Sequence, residues 1–219
     1  DWFFNNEEMG IILEDDCLPD PSFFPFCEEL LTRYKDDERV GMISGNNFQF
    51  GRVKNDHSYY FSKYSHIWGW ATWRRAWRYY DVDIKYWPEL KKDGTLKRVL
   101  QNDEWVNHFE YMFDRYYTGT VNAWDGQWYL THWWKKSFSI VPAHNLIRNI
   151  GFEGEEAQSL HGIHDPEHIK SNIPTQPLDF PLKHPQTIES NRQADDWVYR
   201  HIVGINLQLK QKLLWFSEV

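Results

Sequence analysis

Residues 10–24, with the sequence GIILEDDCLPDPSFF, constrain the fold of this chain most strongly. An apolar run at residues 11–13 follows a glycine and predicts a short strand that is buried on both faces. Three acids at residues 14–16 end the run abruptly. A helix is then predicted to begin with Asp20 as its cap and Pro21 as its first residue. A buried strand followed by a turn and a helix is typical of an α/β fold.

The three acids have two possible roles. Consecutive carboxylates at the carboxyl end of a buried strand lie where open α/β sheets bind ligands. So much negative charge favours a bound cation, and a hard ion such as Mg²⁺ or Mn²⁺ binds carboxylate and phosphate oxygens. Alternatively, Glu14, Asp15 and Asp16 only end a strand and cap a helix. Short acidic clusters are common, so the spacing alone fits both roles equally well.

Hydrophobic patterns predict further strands and helices along the chain. A helix over residues 21–35 and a buried strand over residues 39–44 complete a strand–helix–strand unit. The other predicted elements are strands over 58–62 and 138–141, a helix with Trp70, Trp73 and Trp77 on one face, a short helix after Pro88, an amphipathic helix from Asp103 to Gly119, and a helix that follows Asp125.

Several residues outside the acidic stretch are candidates for ligand contact. Asn47 follows the strand over residues 39–44 at its carboxyl end, although a turn is the commoner role of asparagine. Trp68 and Gly69 precede the tryptophan-rich segment, where a glycine allows a ligand to approach the backbone closely. Asp125 precedes a helix, and a helix cap is its simplest role.

Composition excludes several classes of protein. The chain has 219 residues, of which 41% are hydrophobic and 26% charged, and this predicts a packed core. A net charge of −8 argues against a nucleic-acid partner, which needs a basic surface. No apolar run approaches the roughly 20 residues of a membrane-spanning helix. Cys17 and Cys27 are too few for a disulfide scaffold and indicate reduced thiols in a cytoplasmic protein.

Aromatic residues are unusually frequent. They make up 18% of the chain and include 13 tryptophans. Sugars stack on aromatic rings, so the excess is compatible with carbohydrate binding. It is equally compatible with a core built of large rings, which is the commoner cause.

The sequence ILEDDCLPDPSFF at residues 12–24 closely resembles the acidic motif of nucleotide-sugar glycosyltransferases of the GT-A fold. It is most similar to the N-acetylglucosaminyltransferase I type and its bacterial relatives. The resemblance implies a mixed sheet flanked by helices. It also implies that Asp16 binds Mn²⁺ or Mg²⁺ on the donor diphosphate, and that Glu14 and Asp15 contact the donor.

Three later segments extend the resemblance. WGWATWRRAW at residues 68–77 resembles the bacterial relatives, in which the turn at Trp68 and Gly69 borders the donor sugar and the acceptor. WDGQW at residues 124–128 resembles the segment that carries the catalytic base, which implies that Asp125 is the base. His161 matches a histidine that joins the metal or diphosphate site in many GT-A enzymes. An ordinary surface histidine is the equal alternative at that position.

The resemblance implies an inverting, metal-dependent glycosyltransferase of hexosyl or N-acetylhexosaminyl type. Its donor would be a nucleotide sugar, most readily a UDP-sugar, and its acceptor a glycan or another hydroxyl compound. Because the motif lies so near Asp1, we expect the family's nucleotide-binding strands to be missing from this chain. A non-catalytic carbohydrate-binding or assembly module is the alternative, and a metal-free glycoside hydrolase with two carboxylates is a third possibility.

Two regions are predicted. Residues 1–162 form the catalytic region, and residues 163–219 form a proline-rich arm followed by a helix. The helix is predicted over residues 194–214 and ends in an amphipathic segment with lysines. It is expected to dock on the domain or to pair with another subunit. A contact with a membrane surface is the alternative, so the expected location is cytoplasmic or membrane-peripheral.

Overall fold

The computed structural model describes residues 1–152 and 173–203. The helices are α1 Trp2–Asn6, α2 Phe23–Arg33, α3 Arg74–Trp77, α4 Trp87–Lys92, α5 Thr95–Leu100, α6 Asp103–Tyr117, α7 Asp125–Lys135 and α8 Arg192–Val198, and a π-helical segment follows at Tyr199–Val203. The strands are β1 Met9–Ile12, β2 Cys17–Pro19, β3 Val40–Ser44, β4 Tyr59–Ser62, β5 Trp70–Trp73, β6 Phe138–Pro142 and β7 Ile147–Asn149.

Five strands form one mixed sheet in the order β1-β5-β3-β6-β4. Strands β3 and β6 are parallel, whereas the other neighbouring pairs are antiparallel. It follows that β1, β3 and β6 run in the same direction, and their carboxyl ends meet at one rim of the sheet. Helices flank this sheet, and β2 pairs with β7 in a separate two-stranded sheet. The prediction of a mixed α/β fold is confirmed.

The hydrophobic face predicted for α2 is buried. Its members are Phe23, Phe26, Cys27, Leu30, Leu31 and Tyr34. The helix itself begins at Phe23, two residues later than predicted, because the Asp20 carboxylate accepts hydrogen bonds from the N–H and hydroxyl of Ser22 at 2.9 and 2.6 Å. Cys17 and Cys27 are both buried and free, as predicted.

Strand β1 differs from its prediction. All four of its residues are half-buried, and the side chain of Leu13 just beyond it is 37% exposed. Within the described residues β1 pairs with β5 alone and therefore lies at the edge of the sheet. An apolar run predicts a strand, but it does not show whether neighbouring strands lie on both sides.

The helix predicted through Trp70, Trp73 and Trp77 is wrong. Residues Trp70–Trp73 form β5, whose side chains are all buried, and α3 begins only at Arg74. Trp70 packs with Met42 on one face of the sheet, whereas Trp73 belongs to the main core. The aromatic and β-branched residues of this segment favour a strand, and the helical spacing arises by chance across the strand–helix junction.

The region after the tryptophan-rich segment contains more helix than predicted. The long amphipathic helix is confirmed as α6, and its cap is Asn102, whose Oδ1 accepts the Trp105 N–H at 3.1 Å. Two short helices, α4 and α5, precede it in place of the single predicted one. The second was missed because it has only six residues, fewer than two turns of helical pattern.

The described part of the proline-rich arm lies on the domain. Ile173, Leu178 and Leu182 are buried in the same core as α2 and the main sheet. The start of the predicted terminal helix is present as α8. The boundary predicted between residues 162 and 163 and the helix beyond residue 203 lie outside the described residues. Among the residues that the structure describes, every helix is too short or too polar to cross a membrane.

A buried acid in α8 makes stability depend on pH. Asp195 is 1% exposed, and its Oδ1 accepts the Ser62 hydroxyl at 2.6 Å. Burial raises its pKa from 3.8 to about 6. The folded state therefore binds this proton more tightly than the unfolded state does, and the free energy of unfolding falls as pH rises. For these two pKa values the fall between pH 5 and 7.5 is on the order of 1 kcal/mol.

We therefore expect Asp195→Asn to remove this contribution. The asparagine can still accept the Ser62 hydrogen bond, but it cannot ionise. Urea unfolding of both proteins across this pH range should show the variant gaining on the order of 1 kcal/mol relative to the wild type as pH rises. Parallel pH profiles would contradict the assignment.

Candidate active site

The three acids lie on a tight turn between β1 and β2. The backbone carbonyl of Glu14 accepts the Cys17 N–H at 3.1 Å, which closes the turn. Asp15 lies at the exposed corner, whereas Glu14 and Asp16 are directed to a common region. The turn therefore separates the acids into a pair and a single exposed carboxylate.

Glu14, Asp16 and Cys17 each offer a ligand atom within 4.8 Å of the others. Oxygen ligands about 2.1 Å from an octahedral cation lie roughly 3 to 4 Å apart, so the two carboxylates could bind one ion. Burial raises the pKa of the Cys17 thiol to about 12, and sulfur is a soft ligand that a hard cation does not favour. The remaining oxygen donors suit a hard cation such as Mg²⁺ or Mn²⁺. Exposed acidic groups are also common without an ion.

Pairing of β2 with β7 brings a distant loop against Asp16. The Ile150 N–H donates to the Asp16 carbonyl at 2.8 Å. A Cβ atom at Gly151 would lie 2.4 Å from Asp16 Oδ2, so only glycine lets the backbone approach the carboxylate this closely. This segment precedes His161 in the chain by about ten residues. His161 itself lies outside the described residues, and its predicted role stays a prediction.

Asp125 is the first residue of α7 and is half-buried. The cap position of α7 is Trp124, so the alternative role of Asp125 as the helix cap is wrong. The Tyr116 hydroxyl donates to Asp125 Oδ1 at a long 3.5 Å. In the described part of the chain no hydrogen bond involves Asp125 Oδ2, so that oxygen is available to accept a proton.

A chain of contacts places Asp125 beside the acidic turn. In the main sheet Ile12, two residues before Glu14, pairs with Trp70. The Trp70 ring stacks on Trp124 with centroids 5.8 Å apart and an interplanar angle of 26°. Trp124 directly precedes Asp125, so the first turn of α7 lies next to the carboxyl end of β1.

The electrostatics agree with this placement. The pKa of Glu14 is raised, first by burial and then by the negative charges of Asp16, Asp125 and Asp15. Burial and the charge of Asp125 also raise the pKa of Tyr80 to about 12. The carboxylates of the turn and of α7 thus share one electrostatic environment, in which a bound cation would reduce their repulsion.

Asn47 has a structural role in place of the predicted donor contact. Its side-chain nitrogen donates to the carbonyls of Pro142 and Ala143 at 2.8 and 3.0 Å, and its oxygen accepts the Gln49 N–H at 2.9 Å. Both amide hydrogens are used and the residue is buried. Asn47 therefore fastens the loop after β3 to the end of β6.

Protein side chains occupy the space beside Gly69 that was predicted for a ligand. Gly69 has a φ of +69°, and a Cβ there would lie 2.6 Å from Ile147 Cδ1 and 3.0 Å from Leu13 Cδ2. The glycine is needed for packing and for its backbone conformation. Trp68 is 9% exposed and packs against Phe152. It borders the loop beside Asp16, and its contact with the donor stays a prediction.

The surroundings of Asp125 were not identified from the sequence. Tyr116 lies in α6 and packs against the main core, yet its hydroxyl reaches Asp125. This is possible because Gly126 leaves room for the ring: a Cβ there would lie 2.3 Å from it. The glycine directly after this candidate catalytic acid is the sequence feature that could have indicated a large side chain packed beside it.

Fold and site together define an α/β protein with an acidic, cation-compatible turn beside a carboxylate, one oxygen of which makes no hydrogen bond within the described residues. Comparison with known proteins does not assign the chain to a family. No protein-family model matches the chain, and no curated protein matches it. The particular function is therefore inferred from the site residues and their chemistry.

Proposed function

We propose that this chain is the catalytic region of a metal-dependent, inverting glycosyltransferase that moves a sugar from a nucleotide-sugar donor to an acceptor hydroxyl. The observation that carries the proposal is the contact between Trp70 and Trp124, because it brings Asp125 to the rim that carries Glu14 and Asp16. The resemblance of residues 12–24 and 124–128 to glycosyltransferase motifs supports the same function.

Glu14 and Asp16 would hold the cation, which supplies positive charge to the diphosphate leaving group when bound. Asp15 lies outside this pair and is free to contact the donor, as the motif implies. This division of the acids differs from the sequence-based expectation, in which Asp16 was the metal ligand of the three and Glu14 touched the donor.

Asp125 would act as the general base. The acceptor oxygen forms a bond to the anomeric carbon while the bond to the diphosphate breaks, and the leaving group keeps the electron pair. The hydroxyl proton passes to Asp125 Oδ2. The Tyr116 hydroxyl, on Oδ1, orients the carboxylate. Attack from the face opposite the nucleotide inverts the anomeric centre.

The first test is release of nucleoside diphosphate from a panel of UDP-sugars and other nucleotide sugars, with a panel of hydroxyl acceptors. We expect release in the presence of Mn²⁺, loss of release with EDTA, and recovery when Mn²⁺ is restored. Hydrolysis of glycosides in EDTA would indicate a glycoside hydrolase. Sugar binding without turnover of any donor would indicate a carbohydrate-binding module.

A further inference from the structure

A cleft of about 490 Å³ opens at the other end of the main sheet. It lies beside Lys63, which follows β4, and Phe138, which begins β6. Since β6 begins here, this end is opposite the rim that carries the acidic turn. We call it the basic cleft because five cationic side chains line it: Lys63, Arg98, Lys136, Arg192 and Arg200.

The charges of the basic cleft are poorly balanced. Asp196 is the one carboxylate among its lining residues. Arg98 forms an ion pair with Asp93 at 3.2 Å. The other four cations form no ion pair within the described residues. Four cations without an ion pair among the described residues thus line one concave site of a chain of net charge −8, and their mutual repulsion favours an anionic ligand.

Lys63 is the most constrained of these cations. Its Nζ lies 5.4 Å from the ring centroids of both Trp105 and Tyr64. Burial lowers its pKa, an effect that the charges of Asp195 and Asp196 oppose. Aromatic rings rather than a bonded carboxylate therefore hold this ammonium group in the wall of the cleft.

Neutral polar groups complete the lining. Asn102, at the start of α6, borders the cleft, where the positive end of the helix dipole is countered by the first-turn acids Asp103 and Glu104. Ser137 and Ser190 contribute hydroxyl groups. His132 is also in the wall, but burial lowers its pKa to about 3 and the imidazole carries no charge at neutral pH.

We propose that the basic cleft binds a soluble anion with two or more phosphate groups. Its volume lies within the range of about 300–1,000 Å³ that is typical of small-molecule sites, so a single phosphate would not fill it. Guanidinium groups such as those of Arg192 and Arg200 match phosphate geometry with two parallel hydrogen bonds. A concave shape suits a soluble ligand better than the surface of a membrane.

Calorimetric titration with inorganic pyrophosphate and tripolyphosphate tests this proposal. EDTA is included so that no metal-dependent binding at the acidic turn contributes, and salt is kept at about 0.15 M to suppress weak surface attraction. We expect both probes to bind the wild type. Arg192→Glu/Arg200→Glu should weaken binding at least tenfold without a change in melting temperature, and Lys63→Gln should weaken it as well.

The matched control is Lys92→Glu/Lys97→Glu. It changes the net charge by the same amount at two exposed lysines that do not line the cleft. Its affinity for the probes should stay within about twofold of the wild type. The proposal is overturned if neither probe binds at millimolar concentration, or if the control weakens binding as much as the cleft variant. Binding only to vesicles of anionic phospholipid would also overturn it.

Discussion

Replacing Asp125 by asparagine should lower the rate of sugar transfer by about 10²- to 10⁴-fold, the usual contribution of a general base. The amide has the same size, and its oxygen can still accept the Tyr116 hydrogen bond, but it cannot take the acceptor proton. Donor binding should be retained because Asp125 lies outside the group of Glu14, Asp16 and Cys17. The measurements are the initial rate of nucleoside diphosphate release with acceptor and the donor affinity in Mn²⁺.

Asp103→Asn is the matched control for this variant. Asp103 is the first residue of α6, just as Asp125 is the first residue of α7. Its replacement by asparagine removes the same charge. Asp103 lies 13 residues before Tyr116 on one helix, or about 20 Å away at 1.5 Å per residue. Its transfer rate should match the wild type. Full activity in Asp125→Asn would exclude a catalytic base there, and a matching loss of donor affinity would make Asp125 a binding residue.

Sequence patterns predicted best those elements whose buried face is marked by the spacing of their own apolar residues. Helices α2 and α6 each have an apolar stripe at helical spacing. The stripe of α2 is buried as predicted, whereas that of α6 is buried at Trp105, Phe109 and Phe113 and half-buried at Met112 and Tyr116. Strand β3 is a continuous apolar run between polar turns, and each of its residues is buried. In these segments local pattern and tertiary packing favour the same structure.

The elements that were predicted wrongly depend on partners that the local sequence does not specify. The position of β1 at the sheet edge follows from strand order, and β5 is a strand because it lies between β1 and β3. Strands β2 and β7 were missed because each has only three residues and gains its hydrogen bonds from the other. A three-residue segment carries too little pattern to be recognised.

The residues of the candidate site divide in the same way, into those that the local sequence predicted and those whose role depends on distant partners. Motif order singled out Asp16 and Asp125; the structure brings them to one region, and their roles stay predictions. Asn47 and Gly69 were misjudged because their partners, Pro142 and Ile147, lie far along the chain. The grouping of Glu14 with Asp16 depends on one backbone hydrogen bond in the turn, which a motif does not encode.

The grouping of Glu14 with Asp16 predicts a second large effect, this time on the affinity for the metal ion. Asp16→Asn should weaken Mn²⁺ binding at least about 100-fold, because loss of a residue that merely supports a metal ligand already costs about 10- to 100-fold. Donor binding in Mn²⁺ should be lost with it, in contrast to Asp125→Asn. Free Mn²⁺ measured by electron paramagnetic resonance gives the metal affinity directly, without a requirement for turnover.

Asp15→Asn separates coordination from general electrostatic attraction. It removes the same charge from the adjacent residue, but Asp15 is exposed and lies outside the group that could hold an ion. Its Mn²⁺ affinity should fall only a few-fold, as expected for a screened charge in water. Equal losses in the two variants would mean that the turn attracts cations only through its total charge. Loss in Asp16→Asn alone would mean that the fold of the turn has selected one of two neighbouring aspartates as a metal ligand.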